Sequence, residues 1–172
     1  MSHALKSYQR VCRRPRRKMH IIREKIAMRN ASDDSENAQH HRVQAALQQW
    51  QRIVLQRDWD ALIELLAETV IYHTPAQLEP LHGKNALMQV LRLVFGAFDA
   101  FTYLRHFAGD DGDALEFAAR VGDSQVFGID LLRFGAAGKL VELIVMIRPR
   151  AGLDALIAKV TGGVSTDTAP LA

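Results

Sequence analysis

The chain has 172 residues, 48% of them hydrophobic and 24% charged, a composition typical of one globular domain with a sizeable core. No apolar run approaches the roughly 18 residues that a membrane span requires, so we expect none. The single cysteine, Cys12, excludes a disulfide framework and a cysteine-based zinc site, and it suits a cytoplasmic location.

Charge is distributed unevenly along the chain. Residues 1–29 hold ten Lys and Arg against Glu24 alone, a net charge of +9, whereas residues 30–172 hold twelve against eighteen acids, a net charge of −6. We expect residues 1–37 to be a disordered basic extension that ends in the polar linker "NASDDSEN". An arm that binds nucleic acid or an anionic membrane, or an organelle transit peptide, is the alternative reading of this segment. The acidic remainder gives no reason to expect nucleic-acid binding elsewhere.

Two amphipathic helices open the predicted domain, which spans residues 38–161. Apolar residues recur at helical spacing over 38–57 and again over 59–67. The stretch "TVIYHTP" then predicts a short strand that Pro75 ends, and "AQLEPLHG" predicts a loop. A third helix is expected from Lys84 to about Phe98.

Four strands follow, each rich in Val, Ile, Phe or Tyr and each separated from the next by turn residues. They are "AFTYLRHFA", "ALEFAARVG", "QVFGIDLLRF" and "LVELIVMIRP". A last helix is expected over about 152–160, before a mobile tail at 162–172. Helices followed by an antiparallel meander predict an α+β fold with the helices on one face of the sheet.

The last strand predicts a partner for the opposite face. Both of its alternating sets of side chains are mostly apolar, whereas a face in contact with water should be polar. We therefore expect a homodimer packed through the sheets.

Two stretches resemble a known superfamily. "TPAQLEPLHG" and "GIDLLRFGAAGKLVEL" are similar to the bacterial steroid Δ-isomerases of the nuclear-transport-factor-2-like superfamily, which also contains the SnoaL-like polyketide cyclases. The resemblance covers about residues 40–150. It implies a cystatin-like cone of helices on a curved, mostly antiparallel sheet, with an apolar pocket at the mouth of the cone.

The resemblance also implies roles for three residues. Asp130 lies where the isomerases keep a protonated aspartic acid that donates to the substrate oxyanion, an acid that the apolar surroundings hold neutral. Trp50 lies where they have the tyrosine that is the second donor. Thr74 lies where they place the carboxylate that shuttles the proton, and a threonine hydroxyl is too weak a base for that work.

Another base must therefore act if the protein is an enzyme. Tyr72 and His73, which precede Thr74, are the candidates for moving the proton. The remaining candidate residues are apolar and form the predicted wall together with Thr74: Leu87, Leu91, Phe95, Leu143 and Val145.

Each candidate has a structural alternative. Asp130 could instead pair with Arg105 or Arg120, Trp50 could be plain core, and His73 could lie at an interface or on the surface. His106 is predicted to lie on the outer face of the sheet.

We expect no metal and no cofactor, because neither a ligand spacing for a metal nor a nucleotide-binding fingerprint is found. Three functions stay open. The first is an isomerase-, cyclase- or hydrolase-like enzyme that acts on an apolar carbonyl or polyketide-like ligand by acid–base chemistry. The second is a non-catalytic protein that binds a hydrophobic ligand, and the third is a dimerisation module with a filled interior.

Overall fold

The computed structural model describes the backbone of residues 16–164 and the side chains of residues 35–162. These residues belong to two compact units, the first ending at His40 and the second beginning at His41. The domain boundaries expected at 37/38 and 161/162 stay predictions. The predicted tail lies outside the described residues from residue 165 on, as does the predicted extension before residue 16.

The described chain contains four helices and six strands. In chain order they are α1 (Arg16–Gln56), α2 (Trp59–Leu65), β1 (Leu66–His73), β2 (Leu81–His82), α3 (Lys84–Ala97), β3 (Ala100–Gly109), β4 (Gly112–Val121), β5 (Ser124–Phe134), β6 (Leu140–Arg148) and α4 (Arg150–Val164). Among the described helices, none combines the length and the apolarity that crossing a membrane requires.

Helix α1 begins well before the start expected at residue 38. The predicted linker "NASDDSEN" lies inside this helix. The reason is that residues 16–56 contain neither Gly nor Pro, and the Ser, Asp and Asn of the linker each disfavour a helix by only about 0.7 kcal/mol or less.

Arg57 and Asp58 turn the chain from α1 into α2. Arg57 adopts a positive φ of 56°, which ends the first helix. The carboxylate of Asp58 then accepts a hydrogen bond from the backbone N–H of Ala61 at 3.1 Å, an N-cap for the second helix. These two residues therefore end the first helix and begin the second.

The six strands form one mixed sheet in the order β2-β1-β6-β5-β4-β3. Strands β1 and β6 are parallel, and every other pair is antiparallel. The short strand β2 was not predicted; it forms because Leu81 pairs with Tyr72. The predicted α+β fold with a mostly antiparallel sheet is confirmed.

One face of the sheet carries the core. Along β4, alternate side chains from Asp113 to Val121 are buried, and along β5 the same holds from Val126 to Leu132. We call this the inner face. The opposite, outer face carries three large apolar side chains that are half exposed: Leu104, Phe107 and Met146.

A bulge in β3 changes which side chains point inward. The register with β4 shifts between Tyr103 and Arg105, so Tyr103 and His106 both pair with inner-face residues. His106 therefore lies on the inner face, and the prediction that it lies on the outer face is wrong. Its Nε2 is 2.6 Å from a carboxylate oxygen of the buried Asp113.

Candidate ligand-binding site

A cavity of about 170 Å³ lies between the inner face of the sheet and the helices. Its wall is overwhelmingly apolar. Eight of the ten residues predicted for the site line it: Trp50, Tyr72, Thr74, Leu91, Phe95, Asp130, Leu143 and Val145. Their roles stay predictions, because position alone does not assign chemistry.

Asp130 is the carboxyl group in the cavity wall. Strand β5 alternates between faces, and Asp130 takes an inward position opposite Leu115 and Val145. Only 6% of the residue is exposed. Burial disfavours the ionised form and raises the pKa of Asp130 to about 7, although a hydrogen bond from Tyr103 acts in the opposite direction.

Three polar side chains from three elements form one hydrogen-bonded chain. The indole N–H of Trp50 on α1 donates to the Tyr103 hydroxyl at 2.9 Å. That hydroxyl donates in turn to Oδ2 of Asp130 at 3.0 Å. The single indole N–H of Trp50 thus donates inside the protein, so donation to a ligand stays a prediction that this bond does not favour, and the ring lines the cavity.

The alternative in which Asp130 pairs with an arginine does not hold. Arg105 forms an ion pair with Glu116 on the outer face, on the far side of the sheet from Asp130. Arg120 is exposed and alternates with the inward Ala119. Within the described residues, no Lys, Arg or His lines the cavity.

Tyr72 and Thr74 bring two hydroxyl groups to the cavity. Tyr72 is only 3% exposed. Burial, and then the charge of Asp130, raises the pKa of Tyr72 well above its usual value, so the phenol stays protonated. The Thr74 hydroxyl accepts a hydrogen bond from the backbone N–H of Ala76 at 3.0 Å.

Two predicted residues lie elsewhere. His73 points away from the cavity because it alternates with Tyr72 on β1, and its Nε2 is 3.5 Å from a carboxylate oxygen of Glu142. This placement does not fit the prediction that His73 moves a proton in the cavity. Leu87, one turn before Leu91 on α3, is buried in the core behind the wall.

Sequence reasoning missed two groups of wall residues. The first is a set of aromatic rings, Phe98, Phe101 and Phe117, in contact with one another and with the predicted Phe95, whose ring centroid is 4.9 Å from that of Phe101. The second is a row on α4: Leu153, Leu156, Ile157 and Val160. Their helical spacing was a signal that this helix packs on the domain.

The described residues contain no cluster of three or more His, Cys, Asp or Glu side chains able to hold a metal ion. In the described part of the chain, the polar side-chain groups that line the cavity and can reach a ligand are hydroxyls and one carboxyl. Such a site can accept or donate hydrogen bonds and exchange a proton near neutral pH.

Comparison with known proteins gives a consistent picture. Residues 47–143 match the SnoaL-like domain family. No curated protein matches the chain significantly.

Solved structures with the same fold include both enzymes and uncharacterised proteins. A steroid delta-isomerase from Pseudomonas aeruginosa is 31% identical, with a TM-score of 0.69 over 73% of this chain and 93% of that one. An uncharacterised protein with a cystatin-like fold from Silicibacter pomeroyi is 29% identical, with a TM-score of 0.66 over 71% of this chain and 86% of that one. An epoxide hydrolase from Mycobacterium tuberculosis, 14% identical with a TM-score of 0.53 over 72% of this chain and 96% of that one, is similar in fold alone.

Proposed function

Because the chain belongs to the SnoaL-like family within the nuclear-transport-factor-2-like fold, we propose that its cavity binds a small, mostly apolar molecule with one carbonyl or enol oxygen. In this proposal Asp130 passes a proton to or from that molecule, and the reaction uses no cofactor. The activity is isomerase-like in the broad sense, since it moves protons within the ligand.

The observation that carries the proposal is the state of Asp130. A carboxyl group with a pKa of about 7 exists in both protonation states near neutral pH. That is the range in which one group can serve as general acid and as general base. In an apolar wall the protonated form is also a hydrogen-bond donor for a ligand oxygen.

The charges around the cavity favour a neutral ligand. Among the described residues, no cation lines the wall to neutralise a carboxylate or phosphate, while the ionisable groups that do line it, Asp130 and Tyr72, are both acidic. A carbonyl oxygen could accept from protonated Asp130 and from the Tyr72 hydroxyl together. This arrangement would stabilise negative charge that develops on the oxygen.

The cavity volume limits the size of the ligand. At about 170 Å³ it is smaller than the roughly 300–1,000 Å³ typical of sites for drug-sized molecules. It is close to an engineered cavity of about 150 Å³ that holds benzene. A single ring with few substituents fits this volume, whereas a four-ring steroid would require the cavity to open.

A non-catalytic binding protein is the second candidate, and Thr74 favours it. The position where the similar isomerases hold a carboxylate carries a hydroxyl that already accepts from Ala76. Such a site would bind the same ligand without exchanging its protons. A dimerisation module with a filled interior fits less well, because the interior holds a cavity.

Binding can be tested with two probes of nearly equal shape, cyclohexanone and methylenecyclohexane, followed by NMR. We expect the ketone to bind more tightly, and more so below pH 7, because the acid must be protonated to donate. Asp130→Asn should keep this preference, since an amide still donates, and Asp130→Leu should abolish it. Equal binding of both probes, or an Asp130→Leu variant that still prefers the ketone, would contradict the proposal.

Catalysis is tested in the same samples by exchange of the ketone's α-hydrogens in D₂O. Exchange that depends on Asp130 supports the enzyme. Tight ketone binding with exchange no faster than in buffer supports the binding protein instead. Cyclohexylamine serves as the cationic control, and tighter binding of this amine above pH 7 would show that the site is built for a cation.

The proposal includes a homodimer formed through the outer face of the sheet and a cytoplasmic location. The dimer rests on the half-exposed Leu104, Phe107 and Met146, which share this face with the ion pairs Arg105–Glu116 and Arg133–Glu142. A second copy of the same face would cover the apolar side chains and present opposite charges to each other. The location rests on the single cysteine.

A further inference from the structure

We infer that Trp50 and Tyr103 are positioning residues that keep the dissociable proton of Asp130 on Oδ1, the oxygen that does not contact Tyr103. The two residues act through Asp130 and need not touch the ligand by hydrogen bonds. The use of that proton by a ligand rests on the proposed function, whereas its location within the protein does not.

The hydrogen-bonded chain can run in only one direction. An indole N–H donates and cannot accept, so Trp50 must give its hydrogen to the Tyr103 oxygen. The hydroxyl of Tyr103 has one hydrogen of its own, which goes to Oδ2 of Asp130. Oδ2 already accepts the hydrogen bond from the Tyr103 hydroxyl. A second hydrogen on Oδ2 would point towards the hydrogen of Tyr103, which is unfavourable.

The neutral acid is therefore best accommodated with its proton on Oδ1. Among the described residues, Oδ1 has no hydrogen-bond partner, and Asp130 itself forms part of the cavity wall while Tyr103 does not. Tyr103 thus holds the carboxyl group from behind the wall. Without Trp50, the Tyr103 hydroxyl could turn round and accept from Asp130, which would take the proton away from the cavity.

Packing keeps Tyr103 in the orientation that this requires. Tyr103 faces inward because it pairs with the inward Phe117, and its ring meets that of Phe101 edge to face at 5.0 Å. Trp50 is only 1% exposed, so bulk solvent does not compete with Tyr103 for its indole N–H. A hydrogen bond with a purely structural role would only link two elements of the fold. The chain from Trp50 through Tyr103 instead ends on Asp130, the acid in the cavity wall.

Few other titratable groups in the described part of the chain face Asp130; the inner face also carries the His106–Asp113 pair, which the variants below leave unchanged. Tyr72 approaches from β1, and Tyr103 from β3. The inner-face neighbours of Asp130 on β4 and β6 are Leu115 and Val145, and the α3 and α4 side chains that line the cavity are apolar or hydroxylic. A change in the titration of Asp130 can therefore be attributed to the chain that ends on it.

The test is an NMR titration of ¹³C-labelled aspartate side chains in the ligand-free protein. Tyr103→Phe should raise the pKa of Asp130 by about one to two units, because it removes a bond to the charged form. Trp50→Phe should raise it by roughly half to one unit, because it frees the Tyr103 hydroxyl to accept from the acid. Trp59→Phe is the matched control, since Trp59 packs on Phe95 outside the chain, and it should leave the pKa unchanged.

A second readout separates this inference from the proposed function. Tyr103→Phe, at a residue outside the cavity wall, should weaken cyclohexanone binding severalfold and leave methylenecyclohexane binding unchanged. If the wild type binds no ketone but the pKa changes appear, the proposed function fails and the positioning role stands. If the pKa of Asp130 stays the same in both Trp50→Phe and Tyr103→Phe, with both variants folded by their ¹⁵N spectra, the positioning role is wrong whatever the ligand does.

Discussion

The ring of Phe117 lies directly over the backbone of Gly128 on the neighbouring strand. A Cβ atom at position 128 would be 2.2 Å from Cζ of Phe117 and 2.6 Å from the carbonyl oxygen of Met146. The ring can occupy this place only because residue 128 has no side chain. Phe117 lines the cavity from there and packs against Phe101, with ring centroids 5.1 Å apart.

Gly128→Ala should therefore destabilise the protein by about 1–3 kcal/mol, the usual cost of overpacking a core. The measurement is the free energy of unfolding in urea. Gly96→Ala is the control: Gly96 lies on helix α3 with open space around it, and alanine there should be neutral or stabilise by up to about 1 kcal/mol. A Gly128→Ala variant as stable as the wild type would show that Phe117 has room to move.

Stability should fall as the pH rises through the titration of Asp130. Burial raises its pKa from an ordinary 3.8 to about 7, so between these values the folded protein holds a proton that the unfolded chain has released. The stabilisation that the raised pKa gives the folded state is complete below the lower pKa and is lost once the pH exceeds the upper one. A pKa shift of three units corresponds to roughly 4 kcal/mol of unfolding free energy. Urea unfolding at pH 4.5, 6 and 8 measures it.

Asp130→Asn supplies the comparison for this pH dependence, because the amide does not titrate. The free energy of unfolding of the wild type should drop relative to that of the variant as pH increases. Parallel pH profiles would mean that Asp130 is ionised in the folded protein across the whole range.

Tyr72→Phe should weaken ketone binding while leaving the fold intact. The hydroxyl faces the cavity without a hydrogen bond to the described residues, so its loss should change the free energy of unfolding by less than about 1 kcal/mol. Affinity for cyclohexanone should drop severalfold, and affinity for methylenecyclohexane should not. His73→Ala, one residue along the same strand but on the other face, is the control and should change neither affinity.

Met146→Glu should prevent the proposed homodimer from forming, because it places a charge on the apolar outer face where a second copy would pack. Sedimentation equilibrium should show at least a tenfold weaker association than in the wild type. Leu78→Glu adds the same charge at an equally apolar residue that is 90% exposed in the loop after β1, and it should have no effect. A monomeric wild-type protein at micromolar concentration would rule out the dimer.

The architecture was readable from the sequence because its signals are local. Strands of alternating apolar residues, separated by "GDDGD", "GDS" and "GAAGK", predict a meander whatever the tertiary contacts are. Reliance on local signals also explains why the start of α1 was predicted too late in the chain. Ser, Asp and Asn favour caps and turns, but no Gly or Pro interrupts the helix in which they lie.

The candidate site was only partly readable. Asp130 stood out because a carboxylate is conspicuous in an apolar strand. Tyr103 did not, since a tyrosine in a strand is ordinary. The bulge after it, which brings both Tyr103 and His106 to the inner face, leaves no mark in the sequence. The hydrogen bond from the Trp50 N–H could not be predicted either, because its acceptor is Tyr103.

Helix α4 has a consequence for the environment of Asp130. Gly152 lets this helix approach β5 so closely that a Cβ there would be 2.4 Å from Val126, and the helix supplies much of the cavity wall. Folding of the strands alone would leave the acid open to solvent on this side. Docking of the last helix is therefore the step that encloses the hollow and removes water from the acid.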